Sequence, residues 1–523
     1  MPHPPPPESS PPPPDQATRL ARGARRVGAF TMLSRLLGLL REQLFFATLG
    51  ATGLSDAFLV AFRIPSLLRD LFAEGALSSA FVPRYMIALR GESRAAAFAL
   101  ANRVLSTLTI YLGALAVAAM LFPHPIVRLF GGGFDAATAD VCAELVRIMM
   151  PFLPTISLAV VAMGILNAEE RYTAPALASS MFNTVAIVGG ALLLAAPPSH
   201  RAAVTAWAAL AVVGGLAQLA VQVPPLRRLG FRFRFTPDVR LADPGTRGIA
   251  ALMAPAAVGV AAEQVNVAVN SWFASHIVGG ASWLNAAFRL MHLPIGVFGV
   301  AVGTASLTHL SRDAAAGDMP AMRDTLRRAL RLVFFLTVPS TIGLALLAEP
   351  IVRLIFEHGR FTPGATLETA RAVRAYAVGL VAYSGIKVMA PAFYALSRPR
   401  LPLAASAAAV AANLIWNLVT FQHFGHVGLA LGTSVAAIAN FLILIGAFQL
   451  AVGGLLTLSL LGALTRILAA AGLMAGVVWL IAAHLPGALA ALGSVVVGAA
   501  VYFAAARALR LSEASTLLGR FGR

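Results

Sequence analysis

The sequence is poor in charge and nearly free of cysteine and lysine. Only 12% of its 523 residues are charged and 58% are hydrophobic, whereas soluble domains have about 25% charged residues. Cys142 is the only cysteine, so the chain can form no internal disulfide and no metal site built from cysteines. These absences exclude an ordinary soluble domain and a protein cross-linked within its own chain.

Motifs of common enzyme classes are also missing. The only lysine, Lys387, lies in an apolar run, so the chain cannot carry the G-x-x-x-x-G-K-[ST] loop of ATPases. It has neither a G-x-S-x-G elbow nor an H-E-x-x-H pair. The run "FGGGF" at 130–134 lacks the context of a dinucleotide loop and is interpreted as a turn. We therefore predict no enzyme activity, no catalytic residues, no metal and no resident cofactor.

Long apolar runs recur along the whole chain, and its mean hydropathy is +0.79. A helix of about 20 apolar residues is long enough to cross a bilayer. We therefore predict an all-α polytopic membrane protein with about 14 transmembrane helices. The predicted spans are 28–49, 55–86, 103–123, 142–166, 175–196, 203–223, 249–276, 284–307, 328–348, 370–394, 402–421, 426–449, 465–484 and 488–508.

The positive charge is predicted to orient the chain in the membrane rather than to bind nucleic acid. The net charge is +18, but the arginines cluster in connections between apolar runs, as in 84–94, 227–247 and 312–328. Cytoplasmic connections are enriched in Lys and Arg, so both termini are predicted to be cytoplasmic. The connection 349–374 carries four arginines on the opposite side and is predicted to form a short amphipathic element.

An internal repeat organises the chain. "PIVRL" at 125–129 recurs at 350–354, an offset of 225, and "AFR" at 61–63 recurs at 287–289, an offset of 226. Six predicted helices separate the copies, so both copies have the same orientation in the membrane. This arrangement predicts two parallel six-helix lobes with a site between them.

The predicted units follow from this repeat and from composition. The proline-rich and basic residues 1–26 cannot build a core and are predicted to be a disordered cytoplasmic tail. The other units are an N-terminal lobe 27–226, a basic cytoplasmic linker 227–248, a C-terminal lobe 249–450, helices thirteen and fourteen at 451–510, and a cytoplasmic tail 511–523.

The second predicted helix carries a stripe of charge. At 100° per residue, Asp56, Arg63, Asp70 and Glu74 lie within about 20° of one line, and Arg69 lies about 120° away. An ionisable group at mid-membrane costs roughly 2.5–3.5 kcal/mol on insertion scales. These side chains are therefore predicted to face protein or water rather than lipid.

Two interpretations of the charges stay open. The acids of the first two helices equal their arginines in number, which is consistent with a self-neutralising network that includes Arg35, Arg41 and Glu42. However, Arg289 occupies the repeat position of Arg63, and neither Arg289 nor Lys387 has an acid nearby in sequence. Excess cations favour a site for an anionic ligand, because arginine binds phosphate and carboxylate through two hydrogen bonds.

Further polar groups lie within predicted spans. They are interpreted either as hydrogen-bonding groups between helices or as a cation or proton site that couples transport. These residues are Glu263, Asn270, Asn413, Asn417 and Thr433. The histidines show no metal-ligand spacing, and His292 and His426 are interpreted as interfacial.

Four stretches resemble the MurJ/MviN family of the multidrug/oligosaccharidyl-lipid/polysaccharide superfamily. They are "TMLSRLLGLLRE" at 31–42, "SDAFLVAFRIPSLLRDLFAEGALSSAFVP" at 55–83, "FRLMHLPIGVFGVAVGT" at 288–304 and "GIKVMAPAFYA" at 385–395. The resemblance covers about residues 27–510. It implies a lipid II flippase of the bacterial inner membrane, active in peptidoglycan biosynthesis.

The resemblance also implies an architecture and a mechanism. The lobes would form a V around a cationic cavity that opens alternately to the two sides of the membrane. The substrate would be lipid II, an undecaprenyl-pyrophosphate-linked disaccharide-pentapeptide. Its head group would enter between helices one and eight, and helices thirteen and fourteen would hold its tail. The protein would be a monomer surrounded by membrane lipid, with cell-wall synthesis proteins as candidate partners.

The resemblance assigns roles to individual residues. The substrate-binding residues would be Arg35, Arg41, Arg63, Arg69, Arg289 and Lys387. The gating or charge-balancing acids would be Glu42, Asp56, Asp70 and Glu74. Many members have acids where this chain has Phe288 and His292, and some have an acid in helix seven where this chain has amides. Sodium, protons and the membrane potential are candidate sources of coupling energy, and the neutral amides argue against tight sodium binding.

Three alternative functions remain at this stage. A flippase for another polyprenyl-linked glycan would use the same cationic cavity. A cation-coupled exporter of small molecules would be expected to have an acidic or apolar cavity instead. A scaffold for cell-wall synthesis would act through the proline-rich tail, and deletion of residues 1–26 would test it.

Overall fold

A computed structural model describes residues 33–71, 76–484 and 488–515, and all regular structure in these residues is helical. The first helix, α1, spans 33–49. The helices of the first repeat are α2 Gly53–Arg69, α3 Ala76–Gly91, α4 Arg94–Leu121, α5 Pro123–Phe130, α6 Ala136–Met149, α7 Phe152–Ala168, α8 Thr173–Ala195 and α9 His200–Ala220. A short helix, α10 Val223–Arg228, follows.

The second repeat begins after an extended linker. Its helices are α11 Pro244–Ala274, α12 Gly280–Pro294, a π-helical turn Ile295–Gly299, α13 Val300–Ala315, α14 Met319–Leu346, α15 Ala348–Phe356, α16 Pro363–Ala377, α17 Leu380–Ala395 and α18 Arg400–Ala451. Two final helices are α19 Leu458–His484 and α20 Ala488–Ala508. The predicted tail 1–26 lies outside the described residues.

Helix lengths confirm a polytopic membrane protein. Within the described residues, eight helices are long and apolar enough to cross a bilayer, and the bent pair α16–α17 makes nine. Other predicted spans coincide with shorter or interrupted helices, such as α2 and α3 within 55–86. The count of fourteen spans therefore stays a prediction.

Polar residues in the connections start many of these helices. A Ser, Thr or Asp side chain at the N-cap accepts a hydrogen bond from a backbone N–H group that the first turn leaves unpaired. These residues are Thr52, Ser93, Asp135, Ser199, Asp243, Asp318 and Thr362. Several of the polar residues in this apolar chain are therefore N-cap residues.

Helix boundaries recur with the offset of the sequence repeat. Helices α4 and α14 start at Arg94 and Met319, and α5 and α15 start at Pro123 and Ala348. Both differences are 225 (319 − 94 and 348 − 123). The short helix α15 lies in the connection that was predicted to hold an amphipathic element, and α5 is its counterpart.

Gly425 divides α18 into the counterparts of α8 and α9. Its φ of 53° and ψ of −133° are not helical, and a positive φ is readily accessible only to glycine. The two halves correspond to the predicted spans 402–421 and 426–449. One glycine therefore separates two helices that no loop connects.

The apolar cores show how the repeats meet. One core combines α1, α2, α6 and α9 with α12, α15 and α16, and so belongs to both repeats. A second core lies between α3, α4 and α7 of the first repeat, and it also includes Leu226, Phe231 of the linker and Ile249 at the start of α11. A third joins α13, α14, α17 and α18 to α19 and α20. Two lobes that share a core at one end and have separate cores elsewhere form a V.

Candidate functional site

A polar cavity of about 360 Å3 lies between α1, α8 and α12. Its lining residues are Ser34, Arg35, Gly38, Arg41, Asn183, Arg289, His292 and Leu293. Three arginines that the resemblance assigned to substrate binding, Arg35, Arg41 and Arg289, are thus brought together from both repeats. We call this space the arginine cavity.

Glu42 joins two of these arginines. Its Oε1 accepts a hydrogen bond from Arg41 Nη2 at 3.2 Å and another from Arg289 Nη2 across the repeats. The Glu42 side chain is buried, and its Oε2 has no hydrogen-bond partner among the described residues. The predicted entry lies between the first and eighth predicted spans, which correspond to α1 and to α12 with α13. The ion pair between Glu42 and Arg289 therefore bridges this entry in this conformation.

Asn183 of α8 holds Arg41 from the other side. Arg41 Nη1 donates to Asn183 Oδ1 at 3.2 Å, and Asn183 Nδ2 donates to the Ser34 carbonyl oxygen at 3.2 Å. The Arg41 guanidinium also lies 5.4 Å from the centroid of the Phe182 ring, within range of a cation–π interaction. Sequence reasoning missed Asn183, whose only signal is an amide in the otherwise apolar stretch around α8.

His292 also lines the arginine cavity, which its interpretation as an interfacial residue did not predict. It follows Arg289 by one helical turn, and residues three apart share a helix face. Coulombic interactions connect His292 with Arg289, Lys387 and Arg35. Lys387 of α17 is exposed and is not among the lining residues, but its charge is close enough to act on this group.

Two other predicted substrate ligands do not line the arginine cavity. Arg63 Nη1 donates to Ser271 Oγ of α11 at 2.9 Å and interacts electrostatically with Tyr376 of α16. Arg69 donates to Asp70 Oδ1 from Nη2 at 2.8 Å and from Nε at 3.0 Å. Arg63 thus fastens α2 to the second repeat, and the charge of Arg69 is balanced by its neighbour.

Asp56 caps a helix of the opposite repeat. Its Oδ2 accepts from the Gly279 N–H at 2.6 Å, and its Oδ1 accepts from the Ser282 N–H at 2.8 Å and the Ser282 hydroxyl at 2.7 Å. A carboxylate at a helix N-terminus satisfies unpaired N–H groups and interacts favourably with the helix dipole. Asp56 is buried and holds the two repeats together at this end. Glu74, the remaining predicted acid, lies outside the described residues.

Two turns fasten the repeats to each other at the same end as Asp56. In the turn 131–134, the Gly133 N–H donates to Ser275 Oγ at 2.9 Å. In the turn 358–361, the Arg360 N–H donates to the Ala47 carbonyl oxygen at 2.9 Å. The turns are related by an offset of 227 (358 − 131). Each repeat therefore contacts the first helix of the other repeat, at the end of α11 in one case and at α1 in the other. We call them the turn latches.

Glycines allow the close approach of the turn latches. A Cβ at Gly133 would lie 2.4 Å from His276 Nδ1 and 2.5 Å from the His276 backbone nitrogen. A Cβ at Gly359 would lie 2.3 Å from the Ala47 carbonyl oxygen, and Gly359 also has a φ of +59°. Larger residues at these two positions would separate the repeats.

Four asparagines of α11 and α18 form a cluster, in which Asn413 and Asn417 are buried. Asn413 donates to the side-chain oxygen of Asn266, and Asn417 Nδ2 donates to Asn270 Oδ1 at 2.7 Å. The Oδ1 atoms of Asn413 and Asn417 are buried and have no hydrogen-bond partner among the described residues. The predicted coupling residues Asn270, Asn413 and Asn417 are thus in contact.

The other predicted coupling residues contribute less to this cluster. The Thr433 hydroxyl donates to the Leu429 carbonyl oxygen at 3.0 Å. The side chain of Glu263 lies outside what the structure describes. Among the described residues, no group of three or more His, Cys, Asp or Glu side chains could hold a metal ion.

The arginine cavity can bind an anion. Three guanidiniums and a histidine surround it, and one shared carboxylate offsets part of their charge. Hydrogen bonds between arginine and phosphate or carboxylate oxygens are strong and often bidentate.

Comparisons with known proteins agree with this geometry. The sequence model of the family described as "Lipid II flippase MurJ" matches residues 45–498. The lipid II flippase MurJ of Burkholderia cenocepacia is 35% identical over 430 residues, which cover 81% of this chain and 83% of that protein. A probable lipid II flippase MurJ of Vibrio cholerae is 31% identical, covering 82% of each chain.

Solved structures show the same fold. A lipid II flippase MurJ in an inward closed conformation superposes with a TM-score of 0.80 at 27% identity, covering 92% of this chain and 97% of that chain. An inward-facing multidrug transporter of the MATE family and the MOP superfamily gives a TM-score of 0.66 at 16% identity, covering 83% and 95%. The second likeness concerns the fold alone. The family match over most of the chain shows that this protein belongs to the MurJ family.

Proposed function

We propose that this protein flips lipid II from the inner to the outer leaflet of the bacterial cytoplasmic membrane. The observation that carries the proposal is the match to the lipid II flippase family across residues 45–498. The protein is then a transporter and not an enzyme. Lipid II carries a pyrophosphate, and an arginine cavity between two repeats is suited to that group.

The arginine cavity is proposed to bind the pyrophosphate and the peptide carboxylates. Arg35, Arg41 and Arg289 supply guanidinium groups from α1 and α12, and Lys387 adds charge nearby. Glu42 pairs with Arg41 and Arg289, so an incoming anion competes with this carboxylate. Exchange of one anion for another keeps Arg41 and Arg289 paired while the substrate binds and leaves.

Transport is proposed to proceed by alternating access. The Asp56 cap and the turn latches close one end of the molecule, and these contacts must part for the head group to leave there. A ligand can drive this change only if its affinity differs between the two states. Release of Glu42 from Arg289 by the pyrophosphate would supply such a difference.

The orientation is proposed from the arginine distribution. Arginine-rich connections and both termini face the cytoplasm, and the end closed by Asp56 faces the periplasm. The apolar helices α19 and α20 are proposed to hold the polyprenyl tail in the membrane. The protein is proposed to act as a monomer, near proteins of cell-wall synthesis.

The asparagine cluster is proposed to contribute weakly to energy coupling. Two buried amide oxygens, from Asn413 and Asn417, have no partner among the described residues and could accept from water or contact a monovalent cation. Sodium binds oxygen ligands, and a site without a carboxylate gives it little charge compensation. We therefore propose that protons or the membrane potential, rather than tightly bound sodium, supply the energy.

Complementation tests the proposed function. Cells depleted of their own lipid II flippase would express this protein, and lipid II exposed at the outer surface would be measured. Wild-type protein should restore exposure, and Arg289→Ala should not. Arg353→Ala, an exposed arginine on α15, is the matched control and should behave like wild type. Failure of wild-type protein that is present in the membrane would contradict the proposal.

A reversible cross-link tests alternating access. The hydroxyl oxygens of Ser55 and Ser282 lie 2.9 Å apart, one on each repeat. A Ser55→Cys/Ser282→Cys pair should form a disulfide that stops flipping, and a reductant should restore it. Each single substitution is the control. Normal flipping by the oxidised double variant would contradict the proposal that the end closed by Asp56 opens during transport.

A further inference from the structure

The linker between the repeats lies as an extended strand against α4. Side chains of α4 form six hydrogen bonds with its backbone between residues 232 and 239. They are Asn102 Nδ2 to Arg232 O at 3.2 Å, Arg234 N to Asn102 Oδ1 at 3.0 Å, Ser106 Oγ to Arg234 O at 3.4 Å, Thr236 N to Ser106 Oγ at 2.9 Å, Asp238 N to Thr107 Oγ1 at 2.9 Å and Tyr111 Oη to Val239 O at 2.6 Å. The linker is therefore mounted on the helix and is not a loose tether.

This mounting turns the side chains of the linker outward. The residues of α4 that pair with it, Asn102, Ser106 and Thr107, are buried beneath it. Phe231 is also buried, with its ring centroid 5.3 Å from that of Phe98. Beyond Phe231 the linker backbone forms hydrogen bonds with side chains of α4, and the side chains at 232–235 are exposed.

The outward side chains alternate between aromatic and basic. Phe233 and Phe235 are 55% and 58% exposed. Five exposed arginines accompany them, and none forms an ion pair among the described residues. These arginines are Arg227, Arg228, Arg232, Arg234 and Arg240. Asp238, the acid nearest to Phe235 in sequence, accepts hydrogen bonds from the backbone N–H groups of residues 242 and 243.

We infer that segment 227–240 is a binding site for anionic phospholipids at the membrane surface. The arginines would contact phosphate groups, and Phe233 and Phe235 would enter the boundary between head groups and acyl chains. Basic residues near an anionic leaflet strengthen binding, and aromatic residues favour this interfacial depth. Helix α4 is long and apolar enough to cross the membrane, so a strand bound to it is expected to lie close to lipid, which favours a lipid over a soluble polyanion.

The site would give the linker a second function beside connection. Helix α11 starts directly after it at Pro244, and Asp243 caps α11 and accepts from Arg103 of α4. A linker fixed both to α4 and to the leaflet provides a stationary base for α11 when the repeats move. This inference concerns lipid binding outside the arginine cavity and does not depend on the transported substrate.

Site-directed fluorescence in nanodiscs tests the inference on the full-length protein. Cys142 is buried, so the parent chain should not react with a maleimide–bimane label, whereas Phe233→Cys should. Nanodiscs would contain phosphatidylcholine with brominated acyl chains, with or without phosphatidylglycerol. Glu92→Cys, an exposed position in the connection between α3 and α4, is the control, and Phe235→Cys is an independent second probe.

The expected result is strong bromine quenching of the labels at 233 and 235 when phosphatidylglycerol is present, with little quenching at 92. Adding Arg232→Gln and Arg234→Gln should remove most of this quenching while the melting temperature stays unchanged. Equal quenching at 233 and 92 would overturn the inference. Quenching that depends neither on phosphatidylglycerol nor on Arg232 and Arg234 would overturn it as well. So would protection of the label by added nucleic acid without any protection by lipid.

Discussion

Glu42 of α1 and Arg289 of α12 form an ion pair that joins the two repeats beside the arginine cavity. The same carboxylate oxygen also accepts from Arg41. Two guanidiniums thus share one acid, and a substrate anion must take over the place of that acid. Glu42 and the substrate anion therefore compete for the same two guanidiniums.

Glu42→Gln should raise the affinity for a pyrophosphate ligand by about tenfold, because hydrogen bonds to charged groups contribute roughly 1.5–3 kcal/mol and the substitution removes the competing carboxylate. Flipping should fall, because release becomes slower. Farnesyl pyrophosphate binding to the purified protein would be measured. Glu349→Gln, an acid on α15 that pairs with Arg353, should leave binding unchanged. Weaker binding by Glu42→Gln would contradict the competition.

Asn183→Ala should reduce flipping by about fivefold, since it removes a hydrogen bond of roughly 1 kcal/mol that orients Arg41. Asn183→Asp should be more damaging, because a second carboxylate beside Arg41 would repel the substrate anion. Lipid II exposure in complemented cells measures both effects. Asn440→Ala, which removes a buried amide of α18 that contacts Ser406, should behave like wild type. Equal loss in the two alanine variants would indicate a general packing effect.

Gly359→Ala should weaken the closed state by roughly 1–3 kcal/mol, because it adds a side chain at positive φ against the Ala47 carbonyl oxygen. Gly133→Ala should act in the same direction. The label would be a Cys introduced at Ser282, which should react faster with maleimide as the latches loosen. Gly462→Ala has nothing within 4 Å of the added Cβ and serves as control. Unchanged labelling in both latch variants would contradict the role of the turns.

Asp243→Asn should lower the melting temperature at neutral pH. Burial opposes ionisation of this carboxyl, but hydrogen bonds from Thr246 and the charge of Arg103 outweigh burial and hold the pKa of Asp243 below its ordinary value. A depressed pKa stabilises the fold above the unfolded pKa of about 4, and this contribution disappears as the pH falls through the folded pKa.

The difference in melting temperature between wild type and Asp243→Asn should therefore be largest near pH 7 and should shrink below about pH 4. Glu92→Gln, a change at an exposed acid that forms no ion pair among the described residues, should leave the melting temperature unchanged across this pH range. A constant difference across this pH range would exclude the ionised carboxylate as the source of the stability.

Local patterns in the sequence predicted the helical class, the repeat and a cationic site. Arg35, Arg41 and Arg289 stood out because charge is rare in apolar helices, and the structure brings them together. Partners from distant helices could not be read from such patterns. Asn183 is 142 residues from Arg41, and nothing in the sequence indicated that His292 lines the same cavity as Arg35 and Arg41.

The stripe on α2 shows the same limit. Helical periodicity correctly placed Asp56 and Arg63 on one polar face, but periodicity does not tell which element covers a face. Asp56 meets the N-terminus of α12, and Arg63 meets Ser271 of α11. Both contribute to the junction of the repeats and neither lines the arginine cavity. Charge rarity therefore identified important residues, and only tertiary contacts separated their roles.

The core shared by α1, α2, α6 and α9 with α12, α15 and α16 bears on the ancestry of the chain. A polypeptide with one repeat alone would leave half of this apolar surface without a partner. A single-repeat polypeptide would therefore need a second copy of itself to cover this surface. Its parallel arrangement would have required both copies to insert with the same orientation. Fusion through a basic linker preserves that orientation, because it keeps the arginine-rich connections of both halves on one side.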